Sequence, residues 1–316
     1  MEDKLEQIIS ETLSQLKDFQ LKTVDNIYDR LFIKKENKHL VADEVGLGKT
    51  IVAKGLIARM LRDKMAAKNE EPFKVVYICS NQALAAQNLS KLNILRDTND
   101  TAIDAGRLIF QALKPSENKF YRLTSLTPST SFRLTRGTGV QEERMLIYTI
   151  LSDYHVFSKG RRDNGLKLAL MGNVASSSTW KRRCDNYKEL NRSRIRGSVI
   201  KKFKDAVRDE IVYCRDYPVV FENLDLSGNK LSLQDILIAY SERLTERRAE
   251  KKYQERHGLL STLRSLLTNI CLDYIDADLY ILDEFQRFKD LINTKGESVE
   301  NLSEAAAIAN TIFEKE

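Results

Sequence analysis

The sequence predicts an α/β fold, a mostly parallel sheet flanked by helices, and three observations lead there. A short apolar run, His39-Leu40-Val41-Ala42, precedes a glycine-rich turn and the amphipathic stretch Ile51 to Leu61, which is the order strand, turn, helix. Val75-Val76-Tyr77-Ile78-Cys79 is a second unbroken apolar run with β-branched residues, as a strand buried on both faces requires, and a helical pattern from Ala83 to Leu95 follows it. A third run, Leu279-Tyr280-Ile281-Leu282, has the same character. Strands that alternate with helices read as a parallel sheet, because each connection between parallel strands must cross back over a sheet face.

The elements before the turn are helical. Leu5, Ile8, Ile9, Leu13 and Leu16, then Val24, Ile27 and Leu31, fall at helical spacing and predict two helices with Phe19-Gln20 between the two groups. Ser80-Asn81-Gln82 stands between the run at 75–79 and the next helix, so Ser80 and Asn81 are good caps for its first N–H groups and can also hold a phosphate there. Phe120 to Phe132 is dense in hydroxyls, and its composition favours a solvated turn. From Thr135 to about Ile270 the pattern is largely helical, which divides the chain into 1–134, a helical insertion 135–270, and 271–316.

Length and composition bound the functional class. With 316 residues and 42% hydrophobic content the chain can bury a real core. The N-terminus lacks the basic start and apolar centre of a secretory leader, and no run is long enough to span a membrane, so a cytoplasmic protein is expected. Cys79, Cys184, Cys214 and Cys271 lie far apart and read as buried thiols in a reducing compartment, and with His39, His155 and His257 they show no metal-ligand spacing. The net charge of +6 is mild, but its distribution is uneven. Lys159 to Lys204 holds 14 Lys/Arg against three acidic residues, with Trp180 and Tyr187 interleaved, an excess larger than that of the whole chain. Such segregation favours a polyanion-facing surface and makes Arg182 and Arg183 candidate nucleic-acid contacts. Ser241 to Arg256 alternates acidic and basic residues and predicts an exposed, ion-paired helix.

The chemistry is concentrated in Asp43-Glu-Val-Gly-Leu-Gly-Lys-Thr50. Gly46, Leu47 and Gly48 form a turn that lets the backbone approach an anion, and the helix N-terminus behind it favours negative charge. Lys49 would reach the β- and γ-phosphates of a nucleotide, and the Thr50 hydroxyl would coordinate Mg²⁺. Asp283-Glu284, at the end of the third apolar run, supplies two carboxylates of the kind Mg²⁺-nucleotide hydrolysis needs, one for the metal and one for the attacking water. Gln20 has an amide that could read an adenine edge, or it is an ordinary surface residue.

Leu16 to Gln20, Ala42 to Thr50, Cys79 to Gln82, Leu123 to Phe132 and Asp283 to Gln286 together resemble, in order, the Q-like motif and motifs I, Ia, Ib and II of superfamily 2 helicases and translocases. The resemblance is closest to the Swi/Snf-like branch and its phage-defence relatives, where the first motif residue is commonly Asp, as at Asp43. It implies a RecA-like P-loop NTPase lobe that binds ATP and Mg²⁺. Within it Gln20 would contact adenine, Lys49 and Thr50 the phosphates and metal, Asp283 the metal, and Glu284 the water. Ser80, Asn81, Thr124, Ser125 and Thr127 would lie along a track for single- or double-stranded DNA. The family's Ser-Ala-Thr motif and second lobe are not found in the sequence, so the resemblance implies a first lobe that needs a second lobe or partner subunit for full hydrolysis. Loss of such a lobe's arginine costs about 10³ to 10⁵ in rate. Two other readings stay open: a nucleotide-binding interaction subunit without turnover, and an unrelated P-loop phosphotransferase.

Overall fold

The computed structural model describes residues 2–36, 38–41, 47–68, 71–79, 81–95, 101–105, 107–114, 120–127, 138–158, 160–174, 176–217 and 229–283. In chain order its strands are β1 (Phe73–Cys79), β2 (Thr101–Ala105), β3 (Tyr121–Leu126), β4 (Ile211–Tyr213), β5 (Lys230–Ser232) and β6 (Leu279–Asp283). Two compact units share the chain: Met1–Gly106, Glu117–Thr130 and Asp276–Asn293 form one, and Arg107–Ser116, Ser131–Ile275 and Thr294–Glu316 the other.

The first unit holds the parallel sheet, in the order β2-β3-β1-β6. Four helices belong to it, α1 (Glu2–Ser14), α2 (Asp18–Tyr28), α3 (Lys49–Ala66) and α4 (Gln82–Leu92), and α2 runs on into a short π-helical turn, Asp29–Ile33. Ile9 of α1, Val24 of α2, Ile57 and Leu61 of α3 and Leu89 and Leu92 of α4 join Val75, Tyr77 and Leu123 of the sheet in one apolar core. Gly55 lets α3 sit tight against its neighbours, since a Cβ there would stand 2.7 Å from Leu16 Cδ1 and 2.9 Å from Val24 Cγ2. The start of β6 is clamped to β1 by a reciprocal pair: Lys74 N donates to Asp278 Oδ2 at 2.8 Å, and Asp278 N donates to Lys74 O at 2.9 Å.

Two sequence expectations fail in this unit. The described part of Phe120 to Phe132, residues 120–127, is not the solvated turn that composition favours: it holds β3, paired on both edges, with Tyr121 and Leu123 fully buried. The hydroxyls hide the strand because Thr is itself a good strand former and Ser is small enough for a covered face. The run at 39–42 is not a strand over its described residues, His39–Val41, and Leu40 is 72% exposed. So short a run gains little without a ladder partner, and β6 makes its ladder with β1.

The second unit is helical, with α5 (Gln141–Ser152), α6 (Arg161–Ala169), α7 (Ser177–Asn191), α8 (Gly197–Asp209), α9 (Leu233–Arg243), α10 (Glu246–Lys251) and α11 (His257–Leu272), and the small antiparallel pair β4-β5. Its core gathers Leu146, Tyr148, Phe157, Trp180, Phe203, Tyr240 and Leu263. The single ion-paired helix expected over 241–256 is instead broken into the end of α9, α10 and a 3₁₀ turn, Tyr253–Arg256. Thr245 starts a new helix by accepting from Arg248 N, and Arg256 is fully buried, donating from Nη2 to Ala249 O at 2.7 Å. All four cysteines are buried and free. Among the described residues no helix is long and apolar enough to cross a membrane.

Candidate functional site

The turn that opens α3 is held from one side by α2. Gln20, only 5% exposed, accepts from Lys17 N through Oε1 at 3.1 Å and donates from Nε2 to Leu47 O at 3.1 Å. The first bond closes the N-terminal turn of its own helix; the second fixes the carbonyl just before the glycine. Gly48 has φ +87°, a left-handed conformation that costs glycine little, and a Cβ there would meet Gln20 Nε2 at 2.7 Å. Its carbonyl then accepts from Ile51 N and Val52 N at 2.7 and 3.0 Å, which starts the helix. Lys49 is exposed and Thr50 half-exposed at the first two positions of α3. The amide of Gln20 is therefore committed to backbone through both of its heavy atoms, and Leu47 is an exposed apolar neighbour at the same turn. Gly46 lies outside the described residues.

At the carboxyl end of the sheet, β6 finishes opposite β1 with Cys79 facing Asp283 in register. The Asp283 carboxylate meets two buried groups: Tyr77 Oη donates to Asp283 Oδ2 at 2.5 Å, and Asn88 Nδ2 donates to the same oxygen at 3.1 Å. Asn88 Nδ2 also donates to Tyr77 Oη at 2.8 Å, so the three side chains close a triangle across β1, α4 and β6. Burial, and then the bond to Asp283, push the Tyr77 phenol well above its usual range. Tyr77 and Asn88 were not among the candidates drawn from sequence. The signal was there for Asn88, which lies on the buried helical stripe Ala85, Leu89 and Leu92 where an apolar residue is expected. Glu284 lies outside the described residues.

Of the residues read as a nucleic-acid track, Asn81 caps α4, its Oδ1 accepting from Ala83 N at 2.8 Å and Leu84 N at 3.3 Å. Thr124 is half-buried within β3, and Ser125 and Thr127 are buried. Ser80 lies outside the described residues. Arg182 and Arg183 are both exposed on α7, with Arg183 Nη1 donating to Gln141 Oε1 at 2.6 Å. Much of the surrounding basic run is already neutralised by acids from other parts of the sequence. Arg162 pairs with Glu242, Lys181 with Glu246, Lys188 and Arg192 with Asp153, and Lys202 with Asp273, while Lys167 is buried between Asp163 and Asp185. Segregation along the chain is thus partly offset in space.

The donor set suits a hard divalent cation: the Thr50 hydroxyl and the Asp283 carboxylate are both oxygen ligands, one of them anionic. A family model described as "Type III restriction enzyme, res subunit" matches residues 7–147. Searches of the curated proteins and of the solved structures found no match. The matched span takes in Gln20, the turn, α3, β1, α4 and β3, and it ends before β6. Parallel sheet and family match agree on a RecA-like P-loop lobe, that is, a helicase-like ATP-binding domain.

Proposed function

We propose that this chain is the ATP-binding first lobe of a DNA helicase or translocase, in which Lys49 and Thr50 hold the phosphates and Mg²⁺, Asp283 holds the metal, and Glu284 orients the attacking water. The observation that carries the reading is the Gln20–Leu47 bond, which locks a left-handed Gly48 at the head of α3. A turn residue held in its conformation beforehand lowers the ordering cost of binding an anion. Bound Mg²⁺ would screen the phosphate charge; the chain's own contribution is to fix where the phosphates and the carboxylates stand. In this reading Gln20 serves phosphate binding by setting the turn rather than by touching adenine, and residues 135–270 are an insertion in the lobe. Calorimetry of Mg·ATP binding tests it: Lys49→Ala should lose about 10- to 100-fold in affinity, the worth of one charge-assisted contact, with an unchanged unfolding midpoint. Equal affinity in the two proteins refutes it.

A second reading, a nucleotide-dependent interaction subunit of a split helicase or defence complex, is favoured by the internal pairing of the basic run. ATP turnover measured with and without single-stranded and duplex DNA separates the two. DNA-stimulated turnover supports a translocating lobe, whereas turnover that needs an added second protein supports the split form.

A further inference from the structure

We infer that Tyr77 and Asn88 are positioning residues for the Asp283 carboxylate and set how the proposed site binds its divalent cation. The inference rests on the reading of Asp283 as a metal ligand, and it assigns work to two residues which that reading leaves out. Three observations carry it. First, the three side chains close on one another: the phenol gives its one proton to Asp283 Oδ2, and Asn88 Nδ2 donates toward that oxygen and toward the phenol oxygen. Second, Tyr77 and Asn88 are 2% and 4% exposed, so water cannot replace either bond without opening the core. Third, the three groups come from three different elements, β1, α4 and β6, and each bond restrains the carboxylate from a different direction. A carboxylate at a strand end swings freely about its side-chain torsions; two donors on one oxygen fix the plane in which the other oxygen lies. A cation ligand gains from that restraint, because the ordering is complete before the ion arrives.

The same arrangement makes α4 part of the metal site. Asn81 caps this helix, and Asn88 lies two turns along it.

The test measures metal rather than turnover. Mn²⁺ binding to the full chain saturated with ATP is followed by the resonance signal of the free ion, and ATP binding is measured separately in chelator. Tyr77→Phe and Asn88→Leu each remove the donor and keep most of the volume, and each should weaken Mn²⁺ by about 10- to 100-fold. Chelator-phase ATP affinity should not move. Tyr121→Phe is the control, since it deletes another buried phenol, whose hydrogen bond goes to Leu92 O. It should leave Mn²⁺ affinity alone. Adding Tyr77→Phe to Asp283→Asn should cost nothing beyond Asp283→Asn itself, because the hydroxyl then has no carboxylate to aim. Full Mn²⁺ affinity in Tyr77→Phe, beside a loss in Asp283→Asn, overturns the positioning role and spares the metal reading. Full affinity in Asp283→Asn overturns both. Should Asn88→Leu fail to fold, Tyr77→Phe decides alone, since it changes one exchangeable atom and no packing.

Discussion

The two units bury polar groups of different kinds. In the sheet unit the buried polar side chains are neutral: Thr12, Gln20, Asn88, Asn93, Ser125 and Thr127 among the described residues. In the helical unit they include five charged ones, Glu143, Arg144, Lys167, Arg256 and Arg264. Glu143 receives Arg264 Nε at 2.7 Å and Arg107 Nη1 at 3.1 Å, and Arg144 stacks over Trp180 and donates from Nη1 to Met171 O at 2.6 Å. Burial pulls the Arg144 and Arg256 guanidinium groups down to about 10. Buried charges define one geometry sharply and fail badly when a partner is lost, which suits a scaffold. Amides and hydroxyls cost less to rearrange, and two of them, Gln20 and Asn88, hold the glycine turn and the Asp283 carboxylate.

Breaking the charged side of the comparison should have the largest effect. Glu143→Ala removes the buried carboxylate that Arg264 and Arg107 share, so a loss of about 3 to 5 kcal/mol is expected in urea unfolding. Asn88→Leu, on the neutral side, should cost no more than about 1 to 3 kcal/mol. Equal losses would erase the distinction. Next comes Gly172→Ala: the residue has φ +56°, and its Cβ would overlap Arg144 Nη1. A loss of about 1 to 3 kcal/mol should appear as a lower melting temperature, with nucleotide binding untouched. Gly48→Ala sharpens the comparison from the other side. It should weaken Mg·ATP by about tenfold or more through a displaced loop, while the melting temperature shifts little. The smallest effect belongs to the surface. Charge reversal at Arg182 should lower the salt slope of DNA binding by about one counterion, and reversal at Lys181, already paired with Glu246, should leave it unchanged.

Those last two residues show where the sequence ran out. A charge window counts residues along the chain, but Asp153, Glu242, Glu246 and Asp273 reach the basic run only through tertiary structure. The parallel sheet was legible because the runs 75–79 and 279–282 have no polar interruption, although only the first is buried throughout. β2 escaped notice: Thr-Ala-Ile-Asp-Ala is not a continuous apolar run, and among the described residues it pairs with β3 alone. The turn at Gly48 was readable from its glycines, whereas the Gln20–Leu47 bond required the fold to bring positions 27 residues apart together. The Tyr77–Asn88–Asp283 triangle is further still from local pattern, since it joins residues 206 positions apart.

That separation has a consequence for how the molecule comes to exist. β1 acquires its partner β6 only after the intervening chain, the helical unit included, has left the ribosome. Until Asp278 emerges, β1 carries an unpaired edge rich in Val and Ile, the kind of edge that recruits other strands. Contacts at such range close slowly, and each residue of the interval that folds first shortens the remaining search. Synthesis therefore delivers the glycine turn well before the carboxylate of Asp283. A nascent chain halted before β6 would already carry the phosphate-binding turn while lacking the carboxylate assigned to the metal.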